Sequence, residues 1–310
     1  MPAKAGLRKG LKVILMIEGR VTGKTKIAAL IGNPVSHSIS PQLHNTLSSL
    51  MGIDLAYVPF RVEKRELEAA VNGLKALNAA GFNVTIPFKH DVMQYIDEIS
   101  EDALLYGAVN TVDIRDGRLY GYNTDADGFS RSFKEEAGCG FEGKRVVIIG
   151  AGGASRSIAA KIAGESPKKV YIANRTASTA FEIAGAIRKK IDCDIEPCSL
   201  EYIAELGIVE KSDIIINTTS VGMHPDADMS PIDESVAFSS GQIVYDIIYN
   251  PPKTAFLKRA EKFGCKTVNG FGMLFYQGVY AFEIWTGAKV PENIIRQAYS
   301  LLADSIFKIT

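Results

Sequence analysis

Residues 150–155, Gly-Ala-Gly-Gly-Ala-Ser, follow the apolar run 144–149 without a break and lead into a helix-forming stretch that ends near Ala163. Glycines here let the backbone approach a bulky anion. A helix starting at this point offers that anion unpaired N–H groups and the positive end of its dipole. Strand, Gly-x-Gly-x-x-Ser loop and helix in that order form the fingerprint of a dinucleotide site, with Ser155 small enough to replace the usual third glycine. Gly150, Ala151, Gly152, Gly153, Ala154 and Ser155 are therefore assigned to a pyrophosphate. The next predicted strand, 170–173, runs into Asn174-Arg175-Thr176. A carboxylate there would hold a free ribose 2′-hydroxyl and repel a 2′-phosphate, whereas a guanidinium pairs with phosphate bidentately. Asn174, Arg175 and Thr176 thus favour NADP over NAD. Asn217-Thr218-Thr219-Ser220 follows another buried run, which puts it at the carboxyl edge where ligands bind. Thr218 and Ser220 are expected to line the nicotinamide site.

A second set of polar residues sits in short segments elsewhere: Gly32-Asn33-Pro34-Val35-Ser36-His37-Ser38-Ile39-Ser40-Pro41, Asn83-Val84-Thr85-Ile86-Pro87-Phe88-Lys89, Gly107-Ala108-Val109-Asn110-Thr111, Gly121-Tyr122-Asn123-Thr124-Asp125 and Asn269-Gly270-Phe271-Gly272-Met273-Leu274-Phe275-Tyr276-Gln277. Taken singly, each has a plain structural meaning. Lys89 is a solvated charge at a helix start, Asp125 an N-cap, and Ser38 and Ser40 turn and cap residues. Their joint occurrence, in this order, resembles the shikimate dehydrogenase family from Lys26 to the C-terminus.

The resemblance implies a reversible, NADPH-dependent reduction of 3-dehydroshikimate to shikimate, and it implies roles residue by residue. Ser38 and Ser40 match the serines that hold the substrate carboxylate. Thr85, Asn110, Tyr249 and Gln277 match side chains that contact ring hydroxyls. Lys89 and Asp125 match the catalytic pair and also touch substrate. Ile247 and Gly270 match backbone positions around the nicotinamide, and Glu101 an occasional cofactor contact. The chemistry suits these residue types. A polyhydroxy carboxylate calls for many neutral donors and acceptors, and a site built to pair hydroxyls rejects analogues that lack them. Oxidation also removes a proton, which Lys89 is expected to take as base and return as acid in the reverse direction, with Asp125 as its orienter. After Thr176 the chain reads Ala177-Ser178-Thr179, so the phosphate clamp carries one positive charge here.

The elements that must position these residues alternate between strand and helix patterns. Strands are predicted over 26–31, 55–60, 82–86, 144–149, 170–173, 213–217 and 243–247, with a hairpin at Asp116-Gly117 joining 110–114 to 118–122. Helices are predicted from Ser40, as N-cap, to Met51, and over 64–79, from Pro87 to about Ile96, 128–137, 177–190 and the tail 272–309. This is an α/β chain of two domains. Residues 25–127 form a substrate and catalytic domain, 128–269 a doubly wound Rossmann domain for the dinucleotide, and 270–310 helices that return to the first. Residues 1–24 are expected to be a disordered extension. A basic, short apolar run at 4–17 marks its beginning.

Composition narrows the function class further. The 310 residues hold 35 basic and 35 acidic side chains, so no overall positive field exists to hold nucleic acid or an anionic membrane. The four cysteines form no Cys-x-x-Cys pair and no cluster with histidine, so no metal site is expected. Few cysteines and no secretory pattern favour the cytoplasm. A small-molecule substrate and a monomer or homodimer fit the sequence. The alternatives are a quinate/shikimate dehydrogenase that also accepts NAD, and a nucleotide-binding sensor without turnover. The sensor predicts loss of Lys89 or Asp125, and both are present.

Overall fold

A computed structural model describes residues 21–307. The chain forms two compact units. Among the described residues the first holds 21–103, 108–124 and 278–307, and the second 104–107 and 125–277.

The first unit is built on a mixed six-stranded sheet. Its strands are β1 (Lys26–Gly32), β2 (Leu55–Arg61), β3 (Gly81–Val84), β4 (Glu98–Ile99), β5 (Thr111–Arg115) and β6 (Arg118–Tyr122), in the order β2-β1-β3-β5-β6-β4. β1 pairs in parallel with β2 and β3, while β5 runs antiparallel to β3 and β6. Helix α1 (Ser40–Met51) ends on Gly52, whose φ of 66° suits the left-handed turn that closes it. Pro59 is tolerated within β2 because β2 is an edge strand. A 3-10 turn (Lys64–Glu66) and helix α2 (Leu67–Ala76) replace the single helix expected over 64–79, and a 3-10 turn (Asp91–Tyr95) stands where a longer helix was expected after Pro87. Ala29, Ile31, Leu67, Val71, Phe82, Val84, Phe88 and Val112 make the core on one side of this sheet. His44, on α1, is fully buried against the rings of Tyr57 and Trp285, at 4.2 Å and 5.1 Å between centroids. Burial holds its pKa down to about 3. Neither imidazole nitrogen has a hydrogen-bond partner among the described residues, the neighbouring Asn83 amide being committed to Tyr57 and the Asn110 carbonyl.

Ser40 departs from its expected capping role. It is the first helical residue, and the cap position falls to Ile39 with no side-chain bond. The reason lies two residues earlier, where Ser38 Oγ accepts the Ser40 backbone N–H at 3.2 Å. The end of the helix is thus served from the preceding loop.

Helix α3 (Glu101–Tyr106) carries the chain into the second unit, and helix α4 (Asp125–Ala137) opens that unit's long segment. Its sheet is wholly parallel: β7 (Arg145–Ile149), β8 (Lys169–Asn174), β9 (Ile195–Ser199), β10 (Ile214–Asn217), β11 (Ile243–Asp246) and β12 (Lys266–Val268), in the order β12-β11-β10-β7-β8-β9. The order reverses between β7 and β10, which is the switch point of a doubly wound Rossmann fold. Helices α5 (Gly153–Ala163), α6 (Ala177–Arg188), α7 (Leu200–Glu205) and α8 (Ala255–Lys262) connect the strands. Both faces of the sheet are covered. Val146, Ile148, Ile172 and Ile216 join one apolar cluster, and Val147, Ile149, Ala173 and Ile215 the other. That is why β7 reads as an unbroken apolar run. β9 shows no such pattern because it contains Pro197, which its edge position accommodates.

Helix α9 (Phe271–Thr286) passes from the second unit to the first at Gln277–Gly278, and α10 (Glu292–Phe307) follows it. In the first unit, Trp285 Nε1 donates to the Val112 carbonyl at 2.9 Å, and α10 packs on α1. Among the described residues no helix is long and apolar enough to cross a membrane, and no group of His, Cys, Asp and Glu is arranged to hold a metal ion.

Candidate active site

In the second unit the loop after β7 is shaped by what it approaches. Gly150 adopts φ 109°, and a Cβ there would lie 2.7 Å from Thr218 Oγ1. Thr218 in turn is held to β7, its N–H and hydroxyl both donating to the Ile149 carbonyl at 2.8 and 2.7 Å. Gly152 and Gly153 differ, because a Cβ on either would meet no protein atom within 4 Å. Their smallness therefore serves nothing inside the chain and leaves the start of α5 open to a ligand. Gly152 is the cap residue of α5 and has no side chain to bond the first N–H groups of the helix. Ser155 is fully buried and donates its hydroxyl to the Gly150 carbonyl at 2.7 Å, bracing the loop from within.

At the end of β8 the side-chain amide of Asn174 donates to the Thr176 carbonyl at 2.9 Å. This local turn projects Arg175, which is exposed and makes no ion pair among the described residues. An open helix start beside β7, and a bare guanidinium with no carboxylate at the end of β8, fit a dinucleotide that carries a 2′-phosphate. Removing the Arg175 guanidinium tests that fit. Arg175→Ala should raise the KM for NADP+ about 10- to 100-fold, the worth of one charge-assisted pair, and leave that for NAD+ within about twofold. Steady-state titration of both cofactors reads the difference, and equal effects on both would refute the role.

Asp246 was not singled out from the sequence, yet it organises the loops beyond β10 and β11. It is fully buried and stands opposite Asn217 in the register of those strands. Its Oδ1 accepts from Asn217 Nδ2 and from the Ile248 N–H, both at 3.0 Å, and its Oδ2 from the Thr254 hydroxyl at 2.7 Å. Asn217 Oδ1 accepts the N–H and hydroxyl of Thr219, so the pair pins the segments bearing Thr218 and Ser220 on one side and Ile247 and Tyr249 on the other. Ile247 is half-buried. Its carbonyl is pressed against Gly270, where a Cβ would lie 1.8 Å from the oxygen. Tyr249 is half-buried, and burial pushes its phenol up. The available signal in the sequence was a lone carboxylate ending a buried strand.

Burial raises the Asp246 carboxyl to about 6, against the three hydrogen bonds that favour its ionised form. The folded protein therefore binds this proton more tightly than the unfolded chain does. The stability it contributes is complete below about pH 4 and is lost as the pH rises through about 6, on the order of 2–3 kcal/mol. Asp246→Asn mimics the neutral acid. Relative to the unaltered protein, it should gain thermal stability as pH rises from about 4 to about 6. A stability difference that stays constant across that range would show that Asp246 does not titrate there.

The other residues singled out from the sequence fall in both units. In the first, β1 and β3 lie side by side and continue past their ends. The Thr85 N–H donates to the Ile31 carbonyl at 3.0 Å, and the Asn33 N–H to the Ile86 carbonyl at 2.9 Å. Gly32 permits this approach, since a Cβ there would lie 2.2 Å from Thr85 Cγ2. The segments bearing Ser38 and Ser40 and those bearing Thr85 and Lys89 thus leave the same edge of one sheet. Lys89 is half-buried beside the fully buried Phe88, and its carbonyl accepts the Val109 N–H at 2.8 Å, next to Asn110. The Ser40 hydroxyl meets the phenol of Tyr57. Glu101 is exposed at the start of α3, in the first unit. Asp125 begins α4 and Gln277 lies in α9; both are buried and both belong to the second unit. Within that unit α4 meets α9 at Gly128, where a Cβ would lie 2.6 Å from the Gln277 nitrogen.

A parallel sheet with an open glycine loop at its switch point, joined to a second α/β unit rich in hydroxyl and amide side chains, defines a dinucleotide-dependent dehydrogenase. Comparison with known proteins narrows the class. Three family models match: the shikimate dehydrogenase substrate binding domain over residues 30–112, the shikimate / quinate 5-dehydrogenase over 133–230 and the shikimate 5'-dehydrogenase C-terminal domain over 270–298. The shikimate dehydrogenase (NADP(+)) of Methanocaldococcus jannaschii is 43% identical over 292 residues, 93% of this chain and 100% of that protein. A crystal structure of a shikimate dehydrogenase in complex with NADP+ superimposes with a TM-score of 0.83 at 41% identity, covering 94% of this chain and 98% of that one. The shikimate 5-dehydrogenase of Listeria monocytogenes, crystallised with shikimate and NAD, gives 0.84 at 38% identity, covering 90% and 97%. The chain belongs to the shikimate dehydrogenase family.

Proposed function

We propose that this protein interconverts 3-dehydroshikimate and shikimate with NADPH and NADP+. The observation that supports the reading is the common sheet edge of the first unit, which gathers hydroxyl side chains, a buried asparagine and one half-buried amine, while the arginine at that edge, Arg61 at the end of β2, is exposed and paired with Glu63. Such a set suits a small polyol acid better than a phosphorylated or strongly anionic substrate. Ser38 and Ser40 hold the carboxylate, and Thr85, Asn110, Tyr249 and Gln277 read the ring hydroxyls. The loop 150–155 receives the pyrophosphate and Arg175 the 2′-phosphate, while Thr218, Ser220, Ile247 and Gly270 shape the nicotinamide end.

Bound NADP+ supplies the hydride acceptor. The chain's own part is the proton. Lys89 takes it from the reacting hydroxyl in oxidation and returns it to the carbonyl oxygen in reduction, and Asp125 binds a substrate hydroxyl. A spectrophotometric assay of NADPH formation tests the reading, with shikimate and quinate each offered with NADP+ and NAD+. Turnover should be fastest with shikimate and NADP+. No turnover of shikimate with either cofactor would sink the proposal, and faster oxidation of quinate would shift it to that substrate.

A further inference from the structure

Arg156 closes the first turn of α5, where a positive charge is out of place. Free N–H groups and the helix dipole already make that end electropositive, so a cation there is disfavoured unless an anion joins it. The chain supplies no such anion. The first turn of α5 holds no acidic residue, and among the described residues the Arg156 side chain makes no ion pair and no hydrogen bond.

The backbone fixes where this side chain starts. The Arg156 N–H donates to the Gly152 carbonyl at 3.1 Å, one turn above the cap of the helix. Side chains on an α-helix lean toward its N-terminus, and positions three apart share a face. Arg156 therefore stands over Gly153, in the stretch where a Cβ on Gly152 or Gly153 would meet no protein atom within 4 Å. Its stem is placed by Gly107, which belongs to the same unit and has φ 62°. A Cβ on Gly107 would lie 3.7 Å from Arg156 Cδ, so the methylenes run along bare backbone and the residue is half-buried. A stem held this way loses less freedom when the guanidinium binds. Arg175 lies apart from it, at the end of the neighbouring strand β8.

We propose that Arg156 is a further cofactor-binding residue, whose guanidinium pairs with the pyrophosphate at the start of α5. Each phosphate of that group carries a negative charge. The glycine loop answers with N–H groups alone, and Arg156 adds a full charge on a planar fork that matches two phosphate oxygens. The inference rests on the dinucleotide reading of the loop and deepens it, because it gives the two phosphate sites separate arginines. Arg156 secures the part that NADP+ and NAD+ share, and Arg175 the part that only NADP+ has. A charge placed against the helix dipole serves binding at the expense of the unliganded fold.

Isothermal titration calorimetry on the full chain tests this, with NADP+, ADP-ribose and 2′-AMP as ligands. ADP-ribose carries the pyrophosphate without the 2′-phosphate, and 2′-AMP the reverse. Arg156→Gln should weaken NADP+ and ADP-ribose about tenfold each and leave 2′-AMP within about twofold, whereas Arg175→Ala should weaken 2′-AMP and spare ADP-ribose. The Tm of Arg156→Gln without ligand should be unchanged or slightly higher, since a cation has left the positive end of the dipole. Arg156→Lys keeps the charge and loses the fork. It should weaken ADP-ribose by a smaller factor, and it decides the matter alone if the glutamine variant does not fold. The assignment is overturned if ADP-ribose binds the variants that fold as tightly as the unaltered protein, or if 2′-AMP weakens as much as ADP-ribose. It is also overturned if the unliganded Tm falls by more than about 2 °C together with affinity, which would mark a packing role. Failure of the unaltered protein to bind NADP+ and ADP-ribose overturns the dinucleotide reading itself, and is told apart by occurring before any substitution is made.

Discussion

A Lys89→Ala variant is expected to lose turnover by roughly 10²–10⁴-fold, with a smaller change in the KM for shikimate. The size follows from what the amine is asked to do. Proton removal from the reacting hydroxyl is needed only as the hydride leaves, so a group that handles it acts on kcat more than on binding. Its placement is rigid. Phe88 is buried on one side, the Lys89 carbonyl takes the Val109 N–H, and the Thr85 turn that precedes it is tied to the end of β1. Alanine removes the amine and leaves these backbone bonds intact, so folding and cofactor affinity should persist. Small primary amines added to the assay should recover part of the lost rate, because they restore a proton acceptor without restoring the side chain. Turnover near that of the unaltered protein would remove Lys89 from the reaction. A rate loss accompanied by an equal loss of thermal stability would assign it a structural role.

The second large effect separates two glycines that look alike in sequence. Gly270→Ala would put a Cβ 1.8 Å from the Ile247 carbonyl oxygen, and the obstacle is backbone that cannot rotate away. The Gly270 N–H also donates to the Ile248 carbonyl at 3.0 Å, so the two segments cannot part without losing that bond. The cost is about 3 kcal/mol, seen as a fall in Tm on the order of 10 °C with no ligand present. NADP+ binding should weaken as well, since the displaced segment carries Ile247. Gly152→Ala is the counterpart. Its Cβ meets no protein atom, so Tm without ligand should stay within about 2 °C while the KM for NADP+ rises at least about tenfold. Thermal melts with and without NADPH, read beside cofactor titrations, check both. If the two variants melt alike, the distinction between a glycine required by the chain and one required by its ligand fails.

Much of this arrangement was legible in the residues themselves. The apolar run of β7, the glycine loop and the start of α5 are local, and their meaning depends on covalent neighbours and on the periodicity of burial. The arginine at the end of β8 was legible for the same reason, because strand length fixes where the turn falls. Local pattern failed where position in the sheet overrides it. β9 contains Pro197, which argues against a strand until the strand is known to lie at an edge. Ser40 misled because a hydroxyl before a proline resembles a cap, while the bond that serves the helix comes from Ser38.

The sequence by itself determined the class of fold, the dinucleotide loop and the set of side chains available to a polyol substrate. Those follow from apolar periodicity, from glycine's freedom to bring backbone close to an anion, and from which residue types carry hydroxyls, amides and amines. The tertiary structure alone decided which buried polar groups pair. Tyr57 reaches Asn83 from 26 positions away, and Asn83 reaches Thr111 from 28. Asp246 meets Asn217 from 29. That pairing is set by whichever donors and acceptors folding buries together, and no spacing along the chain encodes that until strands from distant segments lie in register.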